Sequence, residues 1–233
     1  MFVFISVIPT TLLANEPRVT ISKIEKAPII DGVLDDDIWS EATVIEDFHQ
    51  RIPVEGGDPS EKTIVRLAYD KDMLYVGARL YERNPDAIIA RELREDIVKF
   101  NDDAFSILID TMLDRRNAFA FMVNPLGTKA EGRFEDNSSY RGEWDGIWYA
   151  ATSRDDQGWS VEFAIPFKSL SLNPDSQVWG MEMERFIRRH NELLLWANHD
   201  QDKRSSYVAS YGDMEGLKNI NQGKGLDIKP QAA

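Results

Sequence analysis

The 233-residue chain contains no cysteine, and it has only three histidines. Disulfides, thiolate metal sites and a cysteine nucleophile are thereby excluded. His49, His190 and His199 show none of the spacings of a zinc centre. Positive charge is also short: 27 Lys plus Arg stand against 40 Asp plus Glu, for a net charge of −13. Nucleic acids and anionic membrane surfaces select basic patches, so neither is an expected partner. Uninterrupted apolar runs of membrane-spanning length are missing, as are low-complexity segments and internal repeats. So are the G-x-S-x-G, H-E-x-x-H and phosphate-loop signatures of common enzymes.

What is present is strand patterning. Residues 63–70 (TIVRLAYD), 73–81, 103–110, 118–124, 146–152, 158–166, 178–186 and 192–198 alternate apolar and polar side chains with period two. Phe105, Ile107 and Ile109 share one face of such a segment, and Trp159, Val161, Phe163 and Ile165 share another. Repeated short alternating segments with turn residues between them predict an all-β fold, an antiparallel β-sandwich. Helix is confined to one or two short pieces, DDDIWSEA near residue 38 and DAIIARELRED at 86–96. Trp159 and Trp179 are expected in the core.

The ends differ from the middle. Residues 1–14 form an apolar run of signal-peptide length that lacks a basic start, as a truncated leader would. It predicts export. From residue 219 the pattern decays into a Gly- and Lys-rich tail, 219–233, expected to link onward. The domain proper is then 15–218.

The stretch IIDGVLDDDIWSEA, residues 29–42, concentrates four aspartates around a turn. A calcium loop would place carboxylates at alternating positions with a distal glutamate, which this stretch does not. No cofactor is expected, and calcium is the one ion the stretch raises. A structural corner accounts for it: Gly32 for the turn, Asp36 or Asp37 as helix cap, Trp39 and Ala42 covering an open end of the sandwich.

That stretch, I-D-G-x-L-D-x-x-x-W-x-x-A, resembles the opening signature of family 9 carbohydrate-binding modules. LYVGARLYE (74–82), NDDAFSILIDT (101–111), FMVNPLGT (121–128), GWSVEFAIPFKSL (158–170) and WGMEMERFIRR (179–189) follow in the family's order. The resemblance implies a jelly-roll-like module without catalysis that binds a glycan between two aromatic rings. It puts the first ring at Phe100 and the second at Tyr207, with Tyr211 as rival. It aligns polar partners with Ser106, Met122 and Asn124, where the family has Glu, Arg and Asn. Ser106 and Met122 thus replace two charged groups, which predicts weak binding.

DRRNAFAFMVNPLGT (114–128) is similar to proteins in which such a domain precedes an outer-membrane β-barrel. This implies a periplasmic or cell-surface location in a Gram-negative bacterium and a C-terminal barrel as partner. A structural domain with a degenerate sugar site is the alternative function, and an accessory module of a glycoside hydrolase the third. Tyr140, Trp144 and Trp148 have the composition of a second ligand rim; the alternative is that Trp148 packs inward on a strand and Trp144 shields a hairpin. Glu182 and Glu184, about 7 Å apart on one strand face, are read as a solvated pair balanced by Arg185, Arg188 and Arg189.

Overall fold

The computed structural model describes residues 17–96, 101–173 and 176–222. The expected leader, Phe100 and the tail beyond residue 222 lie outside the described residues.

Among the described residues, fifteen strands and one α-helix follow in chain order: β1 (Arg18–Thr20), β2 (Ser22–Lys23), α1 (Ile38–Glu41), β3 (Thr43–Ile45), β4 (His49–Ile52), β5 (Thr63–Tyr69), β6 (Met73–Tyr81), β7 (Ala104–Asp110), β8 (Ala118–Val123), β9 (Lys129–Glu135), β10 (Ser139–Arg141), β11 (Tyr149–Asp155), β12 (Gly158–Pro166), β13 (Val178–Ile187), β14 (Glu192–Leu195) and β15 (Gly212–Glu215). They form two sheets. The larger has nine strands in the order β1-β15-β13-β7-β8-β9-β10, with β14 and β4 extending from β13. The smaller has six, β11-β12-β6-β5-β2, with β3 also on β5. Pairing is antiparallel except where the short β1 and β2 run parallel to β15 and β5.

Alternation explains the two-layer packing. Phe105, Ile107, Phe121, Trp179 and Met183 point from the large sheet to the small one, and Leu67, Val76, Trp159 and Phe163 point back. Trp159 is 1% exposed and Trp179 0%. Burying each such ring removes well over 100 Å² from water, worth about 1.5–3 kcal/mol or more.

The corner at residues 29–42 is held by a carboxylate far away in sequence. Glu162, on the outer face of β12, accepts N–H groups from Asp31 and Gly32 at 2.9 and 2.8 Å and the Trp39 indole N–H at 2.8 Å. Gly32 has φ +90, and a Cβ there would meet Thr152 backbone at 2.5 Å, so both conformation and space require glycine. Trp39 and Ala42 are buried with Ala68, Tyr75 and Ala164. They cover the outer face of the small sheet rather than an open end. Neither expected cap forms: Asp37 makes no side-chain cap bond, and Asp36 accepts from Ile29 N instead.

The helix expected over 86–96 is absent; only a 3-10 turn at Pro85–Ala87 forms. Arg91 and Glu92 give their N–H groups to Asp102 Oδ2, both at 2.8 Å, rather than to carbonyls one turn back. The strand expected over 146–152 lies three residues later, at Tyr149–Asp155.

Candidate functional site

The outer face of the large sheet carries the even-numbered side chains of β7, β8 and β13. Register places Glu184, Ser106, Met122 and Ala130 side by side across four strands. Leu108, Ala120 and Gly132 form the next row. Small residues there leave a hollow. Leu108, Ala120, Met122, Ala130 and Phe134 floor a cavity of about 300 Å³, closed at one end by Tyr140 and at the other by Glu184, Ser205 and Ser206.

Tyr140 reaches the cavity because Gly132 has no side chain. A Cβ on Gly132 would lie 2.6 Å from the Tyr140 ring atoms, so the ring lies flat on the glycine. The ring also packs 5.3 Å from Phe134, and its hydroxyl donates to the Glu131 carbonyl at 2.8 Å. An aromatic face of this kind suits the C–H side of a sugar ring.

The opposite wall belongs to the segment after β14. Glu182 Oε1 accepts the N–H groups of Met183, Trp196 and Ala197, and Oε2 that of Asn198. Asn198 Nδ2 then donates to the carbonyls of Arg204 and Ser205, closing a loop that delivers Ser205 and Ser206 to the cavity. Burial raises the Glu182 carboxyl to about 8, opposed by these backbone donors.

Glu184 is 6% exposed, and its Oε1 is buried without a hydrogen-bond partner. Burial raises it to about 7, against a Ser205 side-chain hydrogen bond and the charge of Arg51. The nearby Tyr211 hydroxyl is likewise buried and unpaired. A buried acceptor lacking a donor at the end of an apolar hollow is equipped to receive a ligand hydroxyl. The expectation of a solvated Glu182–Glu184 face is therefore corrected: both are buried, and Arg185 pairs with Glu82 on the inner side.

Of the sequence candidates, Ser106 and Tyr140 meet in this cavity. Asn124 does not. It is 0% exposed, its Nδ2 donates to the Glu92 carbonyl and Asp102 Oδ2, and its Oδ1 accepts from Leu126 N and Thr128 N. Every polar valence is used inside the protein, so Asn124 fixes a corner and has none left for a hydroxyl. Trp144 packs on the other side of β8, 4.9 Å from Phe119 and 5.8 Å from Phe121, while Trp148 is buried among Phe121 and Phe163. The sheet thus divides the candidate Tyr140–Trp144–Trp148 rim, and Trp148 packs inward as the alternative reading had it. Tyr207 is half-buried and follows Ser206, its N–H donating to Arg204 O. Its rival Tyr211 is fully buried.

Sequence reasoning missed Glu184 as a site residue and the floor supplied by β9. The alternation of Ala130, Gly132 and Phe134 was the available signal.

Among the described residues no group of three or more His, Asp or Glu side chains is arranged to hold a metal ion. No helix among them is long and apolar enough to cross a membrane.

Solved structures share the fold, three of them as follows. A family 9 carbohydrate-binding module from Caldicellulosiruptor kristjanssonii, solved with cellotriose, is 20% identical, with a TM-score of 0.62 over 92% of this chain and 100% of that one. A family 9 module from the same organism, solved with glucose, is 20% identical, with a TM-score of 0.61 over 92% of this chain and 100% of that one. A putative carbohydrate-binding protein from Bacteroides uniformis is 11% identical, with a TM-score of 0.70 over 86% of this chain and 99% of that one. No curated protein matches the chain significantly. The family described as "Carbohydrate family 9 binding domain-like" matches residues 30–206, and the chain belongs to that family.

Proposed function

We propose that the protein is a non-catalytic carbohydrate-binding domain whose ligand occupies the cavity between Tyr140 and Glu184. The observation that carries this is the pairing of an aromatic face with a buried, unpartnered carboxylate oxygen across an apolar floor. A sugar ring stacks on Tyr140, and one hydroxyl donates to Glu184. Tyr207, beside Ser206, is the lid aromatic of this reading, and Phe100 joins it through the family resemblance alone. Glu182, the carboxylate two residues away, has both oxygens occupied by backbone N–H groups, which supports binding over hydrolysis. Ser106 and Met122 stand where the family has charged groups. Affinity is therefore expected on the order of millimolar, about −4 kcal/mol. The apolar run at residues 1–14 supports an exported placement, and the likeness of 114–128 to barrel-linked domains supports the cell envelope.

Because the relatives of known structure hold glucose and cellotriose, these are the probes. Calorimetric titration should show binding that is lost in Tyr140→Ala and Glu184→Gln and weakened in Tyr207→Ala. Binding untouched by all three places the ligand elsewhere. Turnover of an aryl glycoside that disappears in Glu184→Gln overturns the non-catalytic reading.

A further inference from the structure

A second cleft, of about 560 Å³, lies beside the cavity and is lined by Arg91, Glu92, Asn101, Asp102, Arg188 and Arg189. Its charges do not balance internally. Glu92 is held by Arg94, whose backbone N–H and Nε reach Oε1 at 3.0 and 2.9 Å and whose Nη2 reaches Oε2 at 2.8 Å. Asp102 Oδ2 already accepts from Arg91 N, Glu92 N and Asn124 Nδ2. Arg189 is committed to Glu82 and Glu61.

Among the described residues, that leaves the Arg91 and Arg188 guanidiniums without an acidic partner, although each backbone is fixed. Arg91 N donates to Asp102 at 2.8 Å and Arg188 N to Asp103 at 2.6 Å. Asp102 keeps its charge, since its donors are neutral, so the cleft sets two arginines outside any ion pair against one carboxylate, in a chain of net charge −13.

Three chain segments join this cleft to the cavity. Glu92 lines the cleft and Asp96 the cavity; Asp102 the cleft and Ser106 the cavity; Arg188 the cleft and Glu184 the cavity. Each pair is four residues apart, so each link spans at most about 14 Å. The cleft thus lies where β7 begins and β13 ends.

We infer that the ligand is an acidic glycan: a neutral sugar residue sits against Tyr140, and a carboxylate- or sulfate-bearing residue reaches Arg91 and Arg188. Planar guanidinium groups match such anions with paired hydrogen bonds, and the exposed Asn101 amide adds a donor. This rests on the cavity reading above, so the test separates the two.

Cellotriose and a cello-oligosaccharide of the same length ending in glucuronic acid are titrated at low and high salt. The acidic sugar is expected to bind about tenfold more tightly at low salt, as one to two charged hydrogen bonds allow. The advantage should shrink at high salt and vanish in an Arg91→Ala/Arg188→Ala variant that binds cellotriose like the parent. Equal affinities, or an advantage that survives in the variant, overturn the inference. If neither oligosaccharide binds, the cavity reading fails, and sodium glucuronate alone decides for the cleft. Amide shifts at Arg91 and Asn101 that the double variant abolishes support it, and their absence overturns it.

Discussion

The Trp39 indole N–H donates to Glu162 Oε1 at 2.8 Å, joining residues 123 positions apart. The aspartate-rich turn near the start of the domain is thus organised by one glutamate of a central strand, which takes three N–H donors. Trp39→Ala should cost about 3–5 kcal/mol, the usual loss for a buried Trp. Trp39→Phe keeps most of the packing but strands a buried carboxylate oxygen, and should cost about 1–3 kcal/mol. Urea unfolding measures both. Sugar binding by the folded variants should be unchanged, because the corner lies on the sheet opposite the cavity. A folded variant that loses binding alone would refute this assignment.

Arg185 is 1% exposed and donates to Thr63, to the carbonyls of Lys62 and Tyr81, and to Glu82, tying β13 of the large sheet to the ends of β5 and β6 in the small one. Arg185→Met should destabilise by on the order of 3 kcal/mol, since it leaves the buried Glu82 with only Arg189. Adding Glu82→Met should recover much of that loss, and a double-mutant cycle followed by thermal unfolding measures it. Additive losses would show that the two side chains act separately.

How far residues could be read from sequence depended on what they touch. Strands such as 158–166 were legible because Trp159, Val161, Phe163 and Ile165 all face one core, and period-two burial is a local pattern. β9 was not, because its Lys129, Glu131 and Arg133 carry charge while Ala130 and Gly132 look like loop residues. The segment at 86–96 has a helical composition, yet a carboxylate from Asp102 captures its N–H groups, and no local signal announces that. Glu184 shows the same limit. Alternation gives its face, outward, but not the later loop that covers it and turns an outward glutamate into a buried one.

Gly132 is the residue that admits Tyr140 to the cavity. Gly132→Ala introduces a Cβ within 2.6 Å of the ring, which must move. Glycine has no special φ at this position, so folding should change by less than about 1 kcal/mol. Sugar affinity should nevertheless fall about tenfold, the scale of a lost stacking contact. Titration of Gly132→Ala beside an unfolding curve checks both halves. Unchanged affinity would show that Tyr140 is no part of the ligand wall.

Glu184 titrates near the middle of the physiological range, and this gives two opposite pH dependences. Its folded value is raised to about 7, above the 4.5 of an ordinary glutamate, because it is buried. The unfolded chain therefore loses this proton first as pH rises. Stability attributable to the group is fully present below about 4.5, and is lost progressively until about pH 7, above which the folded state holds a buried charge. Ligand binding runs the other way. A carboxylate accepts a sugar hydroxyl more strongly than a carboxylic acid, so affinity should rise as pH passes about 7. Glu184→Gln should abolish the affinity step together with binding and remove this group's share of the stability profile, leaving that of Glu182, which burial raises to about 8; at pH 8 it should be more stable than the parent by on the order of 1–3 kcal/mol. Unfolding and sugar titrations from about pH 5 to 9 in parent and variant measure the two curves around that midpoint. A stability profile unchanged by the substitution would mean that Glu184 is not a buried acid. A flat affinity profile in the parent would mean that no ligand hydroxyl meets it.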